Sequence, residues 1–208
     1  MGKQRTVQKP KRPKKDAILD AASRMFLERG YHATSITEMA RQARISKETV
    51  YRYFKSKDGL FAAVIDKELP SYRDVLNISD IESEEMEISE VLIRAGTKLL
   101  TILTSDHAMA LRRMIFYESL KRPDLGHYYY SFGPVRGYKS FESYFSRYRH
   151  KGKESSFDPK DLARYFTGML LHKTILQCEC CVIKNPSKQK IKKLVQQVVR
   201  DFLLAFYK

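Results

Sequence analysis

The segment Thr34–Phe61 restricts the possible folds more than any other part of this chain. Ile36, Met39 and Ala40 recur at i, i+3 and i+4, which puts one apolar stripe on a short helix. Ser35, with Glu38 three residues on, has the spacing of a capping box at the start of that helix. The stripe ends near Ala43, and Arg44-Ile45 makes a turn. Ser46 is placed to cap a second helix, on which Val50 and Phe54 face inward at i and i+4. Its other faces carry Lys47, Glu48, Thr49, Tyr51, Arg52 and Tyr53, and Ser56 offers a third cap ahead of Leu60 and Phe61. A short rigid helix with donors, a cation and phenol hydroxyls on its outer face suits reading of the DNA major groove. Spacing alone equally allows a small helical hairpin with a solvated polar face.

Charge points the same way. The 208-residue chain carries a formal net charge of +15, a balance that favours polyanions such as nucleic acid or an anionic membrane surface. Met1–Lys15 holds Lys3, Arg5, Lys9, Lys11, Arg12, Lys14 and Lys15 and no acid. A flexible arm that reaches phosphates or the minor groove, or simply a solvated tail, fits that composition. Asp80–Glu90 is acidic and reads as a solvated linker. No run of ~18 apolar residues spans a bilayer, and the charged N-terminus lacks the apolar stretch of a secretory signal. A cytoplasmic protein with no membrane partner is expected. The three cysteines all lie within Cys178–Cys181, which makes no disulfide framework.

The residues from Ala17 to Phe61 resemble the DNA-binding half of the TetR family of bacterial regulators. The resemblance rests on Ile18 through Phe26 to Gly30-Tyr31, on Met39-Ala40-Arg41-Gln42-Ala43-Arg44-Ile45-Ser46, on Thr49–Phe54 and on Lys55–Leu60. Two positions depart from it. Arg44 stands where the family often has Gly, so the turn either avoids positive φ or adopts it with strain. Glu48 stands where a small residue is common, which puts in question any contact made there through bare backbone. The resemblance implies a homodimer on a palindromic double-stranded operator, most simply a repressor released by a small organic effector and alternatively an activator, with no cofactor and no metal. Lys47, Glu48, Thr49 and Arg52, following Ser46, are then the base-reading candidates. Lys57 and the hydroxyls of Thr34, Tyr51 and Tyr53 are the phosphate-holding ones.

Beyond Phe61 the pattern stays helical, without β alternation or internal repeat. An all-α protein of about nine helices is expected: a basic arm at 1–15, a helix-turn-helix domain at 16–62, and an effector-binding and dimerisation bundle at 63–208. A helix from about Ser56 should run toward Leu76, disturbed at Pro70. The last two helices, Asp158–Val182 and Lys188–Tyr207, carry broad apolar stripes and are expected to form a four-helix dimer interface. Leu111–Tyr138 resembles the AefR-like branch of the family, which implies a ligand-binding bundle without identifying the ligand.

Three clusters in the second half admit more than one reading. The aromatic residues Tyr128–Tyr130, Phe132, Tyr138, Phe141, Tyr144, Phe145 and Tyr148 suit either core or an apolar pocket edged with phenols. A pocket would lie between the helix of Phe116, Tyr117 and Glu118 and the one carrying Tyr129 and Phe141, roofed by Phe166, Met169 and His172. Glu118 either faces that pocket or pairs with Arg112, Arg113 or Lys121 at helical spacing. Cys178 and Cys181 at i and i+3 read as ordinary core or as a thiol or metal sensor, and no second ligand pair accompanies them. No nucleophile elbow or phosphate loop occurs, so an enzyme is not expected.

Overall fold

The computed structural model describes residues 14–68, 86–150 and 155–207, with single positions at 78 and 81. All regular structure among them is helical. The elements are α1 (Lys14–Arg29), α2 (Ile36–Ala43), α3 (Lys47–Phe54), α4 (Lys57–Glu68), α5 (Ile88–Leu103), α6 (Asp106–Ser119), α7 (Pro123–Phe132), α8 (Pro134–His150), α9 (Pro159–Glu179) and α10 (Lys188–Phe206). These are the expected nine, with the helix interrupted at Gly133-Pro134 divided into α7 and α8. Most of the basic arm, and Asp80, Glu82, Glu84 and Glu85 of the acidic stretch, lie outside the described residues, as does the expected continuation of α4 past Glu68.

The chain divides into two compact units between Glu68 and Leu69. The pattern-based boundary at residue 62 cuts through α4. That helix buries Val64 and Ile65 as well as Leu60 and Phe61, so it belongs whole to the first unit.

In the first unit, α1 packs against α2 and α4, and α3 bridges α2 and α4. Ile18, Ala22, Met25 and Phe26 of α1 are buried, as are Met39, Val50, Leu60 and Phe61 of the three helices that follow. Phe26 and Phe61 meet edge to face with centroids 5.0 Å apart, and Tyr31 closes the cluster at 4.9 Å from Phe61. Such ring pairs add about 0.5–1.5 kcal/mol each beyond area burial. At the far end of α4, Lys67 reaches Asp20 of α1 at 2.6 Å and the Ser23 hydroxyl donates to Glu68 at 2.5 Å.

In the second unit, α8 packs on α9 and α5 on α10 over most of their lengths. Phe141 and Phe145 of α8, Phe166 of α9 and Phe202 of α10 form a fully buried ring cluster, with Phe141–Phe166 tilted at 5.0 Å and Phe166–Phe202 edge to face at 5.1 Å. Gly96 lets α5 approach α10 closely, since a Cβ there would stand 2.9 Å from Val195 Cγ1. The stripe expected on α10 to serve a dimer packs inside its own subunit instead. Ile191, Val195, Val198, Val199 and Phe202 are all buried within the single chain. An isolated six-helix bundle needs that surface for its own core, which leaves the opposite faces of α9 and α10 for any partner.

Candidate nucleic-acid interface and effector cavity

Local chemistry holds α3 out as a rigid, exposed rod. Ser46 caps it by accepting from the Thr49 amide at 3.3 Å, and Val50 and Phe54 anchor its inner face. The Glu48 carboxylate folds back onto the start of the helix. Its pKa lies below the ordinary value because it accepts from its own backbone amide and from the Ser46 hydroxyl, so it stays an anion over the helix N-terminus. Lys47 lies 5.7 Å from the centroid of the Tyr51 ring, one turn on, and the Arg52 guanidinium 5.8 Å from that of Tyr53. Lys47, Glu48, Tyr51, Arg52 and Tyr53 are exposed, Ser46 is exposed at the cap, and Thr49 is half-buried.

The two phosphate candidates outside α3 sit differently from each other. Lys57 opens α4, with its Nζ 4.2 Å from the centroid of the Tyr31 ring. Tyr31 in turn donates to Asp58, so this corner is ordered around the Lys57 charge. Thr34 is only 4 % exposed, and its hydroxyl donates to the Tyr31 carbonyl at 2.8 Å. That hydroxyl has one proton and has already given it to the turn, so it is removed from the phosphate-donor set. The capping box at α2 is half formed. Ser35 accepts from the Glu38 amide, but the Glu38 side chain turns to Arg41 at 2.7 Å instead of back to the cap.

The second unit holds a cavity of about 600 Å³ between α5, α6, α7, α8 and α9. Its aromatic wall is Phe116, Tyr129, Tyr130 and Tyr138, and Leu171, His172, Ile175 and Leu176 of α9 close it. One ion pair crosses the wall. Arg112 of α6 donates from Nε to the Glu179 carboxylate and from Nη1 to the Tyr129 hydroxyl at 3.3 Å, and its guanidinium stacks on Phe116 at 4.6 Å. Burial works against the Arg112 charge. The Tyr129 oxygen and the Glu179 carboxylate outweigh it, and the pKa stays above its ordinary value. Tyr138 is held neutral, its pKa raised by burial and by the neighbouring Tyr130.

Of the residues expected in the pocket, Phe116, Tyr129 and His172 line the cavity. Phe141 and Phe166 do not, because both lie in the ring cluster of the core. Met169 and Tyr117 point to solvent, at 41 % and 59 % exposure. Glu118 is buried but is not a lining residue. Sequence reasoning missed Arg112 and Glu179 as lining groups, whereas Tyr130 and Tyr138 belong to the aromatic cluster that it left open between core and pocket. A face signal existed, since Arg112, Phe116 and Ser119 recur at i, i+4 and i+7, as do Leu171, Ile175 and Glu179 at i, i+4 and i+8.

The cysteines divide. Cys178 is buried, and burial raises its thiol pKa. Cys180 and Cys181 are exposed, with Cys181 Sγ 3.3 Å from Arg113. Among the described residues no group of three His, Cys, Asp or Glu side chains is arranged to hold a metal ion, and no helix is long and apolar enough to cross a membrane.

Comparison with known proteins agrees with both units. Residues 18–64 match the model for bacterial regulatory proteins of the tetR family, and residues 90–208 that for the C-terminal domain of AefR-like transcriptional repressors. A TetR-family regulator from Mesorhizobium loti MAFF303099 is 28 % identical, with a TM-score of 0.85 over 94 % of this chain and 97 % of that one. The flavonoid-responsive regulator FrrA is 27 % identical, with a TM-score of 0.78 over 93 % and 97 %. The fatty acid metabolism regulator protein of Bacillus subtilis (strain 168) is 31 % identical over 103 residues, 50 % of this chain and 52 % of that protein. The match thus spans about half the length of the curated relative.

Proposed function

The chain belongs to the TetR family of DNA-binding transcriptional regulators, which are not enzymes, and on that premise we propose that it is a cytoplasmic, homodimeric repressor released from a palindromic operator by a planar, hydroxylated aromatic compound. The cavity carries the reading. It is large enough for a drug-sized molecule, mostly apolar, and furnished with a few converging polar groups. Arg112 and Glu179 form an ion pair of zero net charge at its wall. Arg112 donates and Glu179 accepts, so a neutral ligand bearing hydroxyl and carbonyl groups satisfies both, whereas a simple anion or cation leaves one charge uncompensated. Flat rings match walls made of Phe116, Tyr129, Tyr130 and Tyr138. The flavonoid response in the name of one structural relative belongs to the same chemical class.

One α3 reads only a few base pairs, so affinity and specificity come from two copies on a two-fold site. Lys47, Glu48, Thr49 and Arg52 face the bases, and Ser46, Tyr51, Tyr53 and Lys57 the backbone. The effector acts by binding the geometry that does not fit DNA more tightly than the one that does. The test is release of a fluorescent duplex, selected by the protein from a random-sequence pool, on titration with flavonoids and with long-chain acyl compounds. Release by flavonoids at micromolar concentration supports the reading. Release by acyl compounds alone would replace it with a fatty-acyl effector, a reading prompted by the fatty acid metabolism in the name of the Bacillus subtilis relative.

A further inference from the structure

We propose that Arg44 and Lys55, the residues that end α2 and α3, are DNA phosphate contacts that the fold retains at the expense of backbone strain. The inference rests on α3 being the DNA-reading helix. Four described residues other than glycine have left-handed φ: Arg44 at 55°, Lys55 at 61°, Cys181 at 58° and Asn185 at 40°. Both members of that set in the first unit are basic, both are exposed, and they flank the same eight-residue helix.

Positive φ is unfavourable for a residue with a Cβ, and glycine takes it freely. The chain uses that solution where α1 ends, at Gly30 with φ of 78°. At the end of α2 the same kind of cap is made by Arg44, whose amide bonds to the Arg41 carbonyl while that of Ile45 bonds to the Ala40 carbonyl. At the end of α3, Lys55 sits at the centre of a tight turn closed by the Ser56 amide on the Phe54 carbonyl at 2.6 Å, a strained geometry. Neither side chain contributes visibly to the fold. Among the described residues neither makes an ion pair, while Arg41 close by is paired with Glu38. Strain kept without a structural return concentrates at functional sites.

Geometry supplies the partner. A helix of eight residues is about 12 Å long, and the major groove of B-DNA is about 12 Å wide. Cations just off the two ends of a helix seated in that groove stand at its phosphate walls. Lys57 adds to this positive rim, but through the α4 corner and its Tyr31 stack.

The test uses the full-length protein and the duplex selected by the wild type, with a random duplex beside it. Arg44→Gly and Lys55→Gly remove strain and charge together. Each is expected to leave the thermal midpoint unchanged or higher while weakening both duplexes about tenfold. Each should also lower the slope of log K against log salt by about 0.9 for every phosphate that is no longer neutralised, summed over both subunits. Arg44→Lys, which keeps the charge in the strained backbone, should restore the slope. Unchanged affinity and slope in the Gly variants, or failure of Arg44→Lys to restore the slope, would overturn the proposal. Arg52→Ala measured in parallel separates the premise from the inference: if it leaves sequence preference intact, α3 is not the reading helix and the assignment of α3 fails by itself.

Discussion

The carbonyl oxygen of Phe54, at the end of α3, lies where a side chain on Gly59 of α4 would begin. The same oxygen accepts from the Ser56 amide, and the Ser56 hydroxyl accepts from the Gly59 amide at 3.0 Å. The angle between α3 and α4 is therefore fixed by a backbone contact that only glycine permits. Helix propensity by itself favours Ala over Gly inside a helix by about 1 kcal/mol. Here the obstructing atom is main chain and cannot swing aside. Gly59→Ala is expected to destabilise the protein by about 1–3 kcal/mol and lower its melting midpoint by several degrees, with loss of operator binding. Calorimetry with a binding assay checks it, and a raised midpoint would mean that the junction yields.

Base reading and phosphate holding separate by their salt dependence. Arg52→Ala should cost about 1–3 kcal/mol on the selected duplex and relax the preference at one base pair in each half-site. Lys57→Ala should weaken selected and random duplexes alike and reduce the salt slope by about one phosphate per subunit. If Lys57→Ala lost affinity only on the selected duplex at constant slope, the two roles would have to be exchanged. Thr34→Val should act on stability rather than on DNA, because its hydroxyl is already bonded within the α1–α2 turn.

The helix-turn-helix was legible because its signals are local. Caps at Ser35, Ser46 and Ser56 and the pairs Ile36/Ala40 and Val50/Phe54 lie within four residues of one another, so spacing alone places them. The cavity was only partly legible because its chemistry is not local. Arg112 and Glu179 meet across 67 positions, and no window of sequence contains both. The densest aromatic run drew attention to Phe141, yet Phe141, Tyr144, Phe145 and Tyr148 fill the core while Tyr129, Tyr130 and Tyr138 line the cavity. The glycine role at residue 59 was equally hidden, since it depends on where a carbonyl from the preceding helix arrives.

The cavity and the core make opposite predictions for two aromatic residues. Tyr129→Phe removes only the hydroxyl that accepts from Arg112, at the cavity wall. It should weaken the effector response severalfold while leaving operator affinity within about tenfold, or roughly 1.4 kcal/mol. Phe141→Ala instead empties a site in the ring cluster with Phe145 and Phe166. It should cost about 3–5 kcal/mol of stability and lower the melting midpoint strongly. A Phe141→Ala protein with normal stability and an altered effector response would return Phe141 to the pocket.

Dimer formation must use surface that the subunit core leaves over. On α9 and α10 the large apolar side chains still exposed include Met169 at 41 %, Leu176 at 49 % and Leu204 at 77 %. Leu176 also borders the cavity, so it cannot separate assembly from effector binding. Truncation before Lys188 is equally uninformative, since it removes Val195 and Phe202 from the core. Met169→Glu and Leu204→Arg, made separately, place a charge on each exposed face and should change the stability of an isolated subunit by no more than about 0.5 kcal/mol. At a dimer interface an unpaired buried charge costs several kcal/mol. Sedimentation should then show a folded monomer for at least one of the two, with operator affinity reduced to that of a single half-site. Both variants sedimenting as dimers at micromolar concentration would place the interface on other elements.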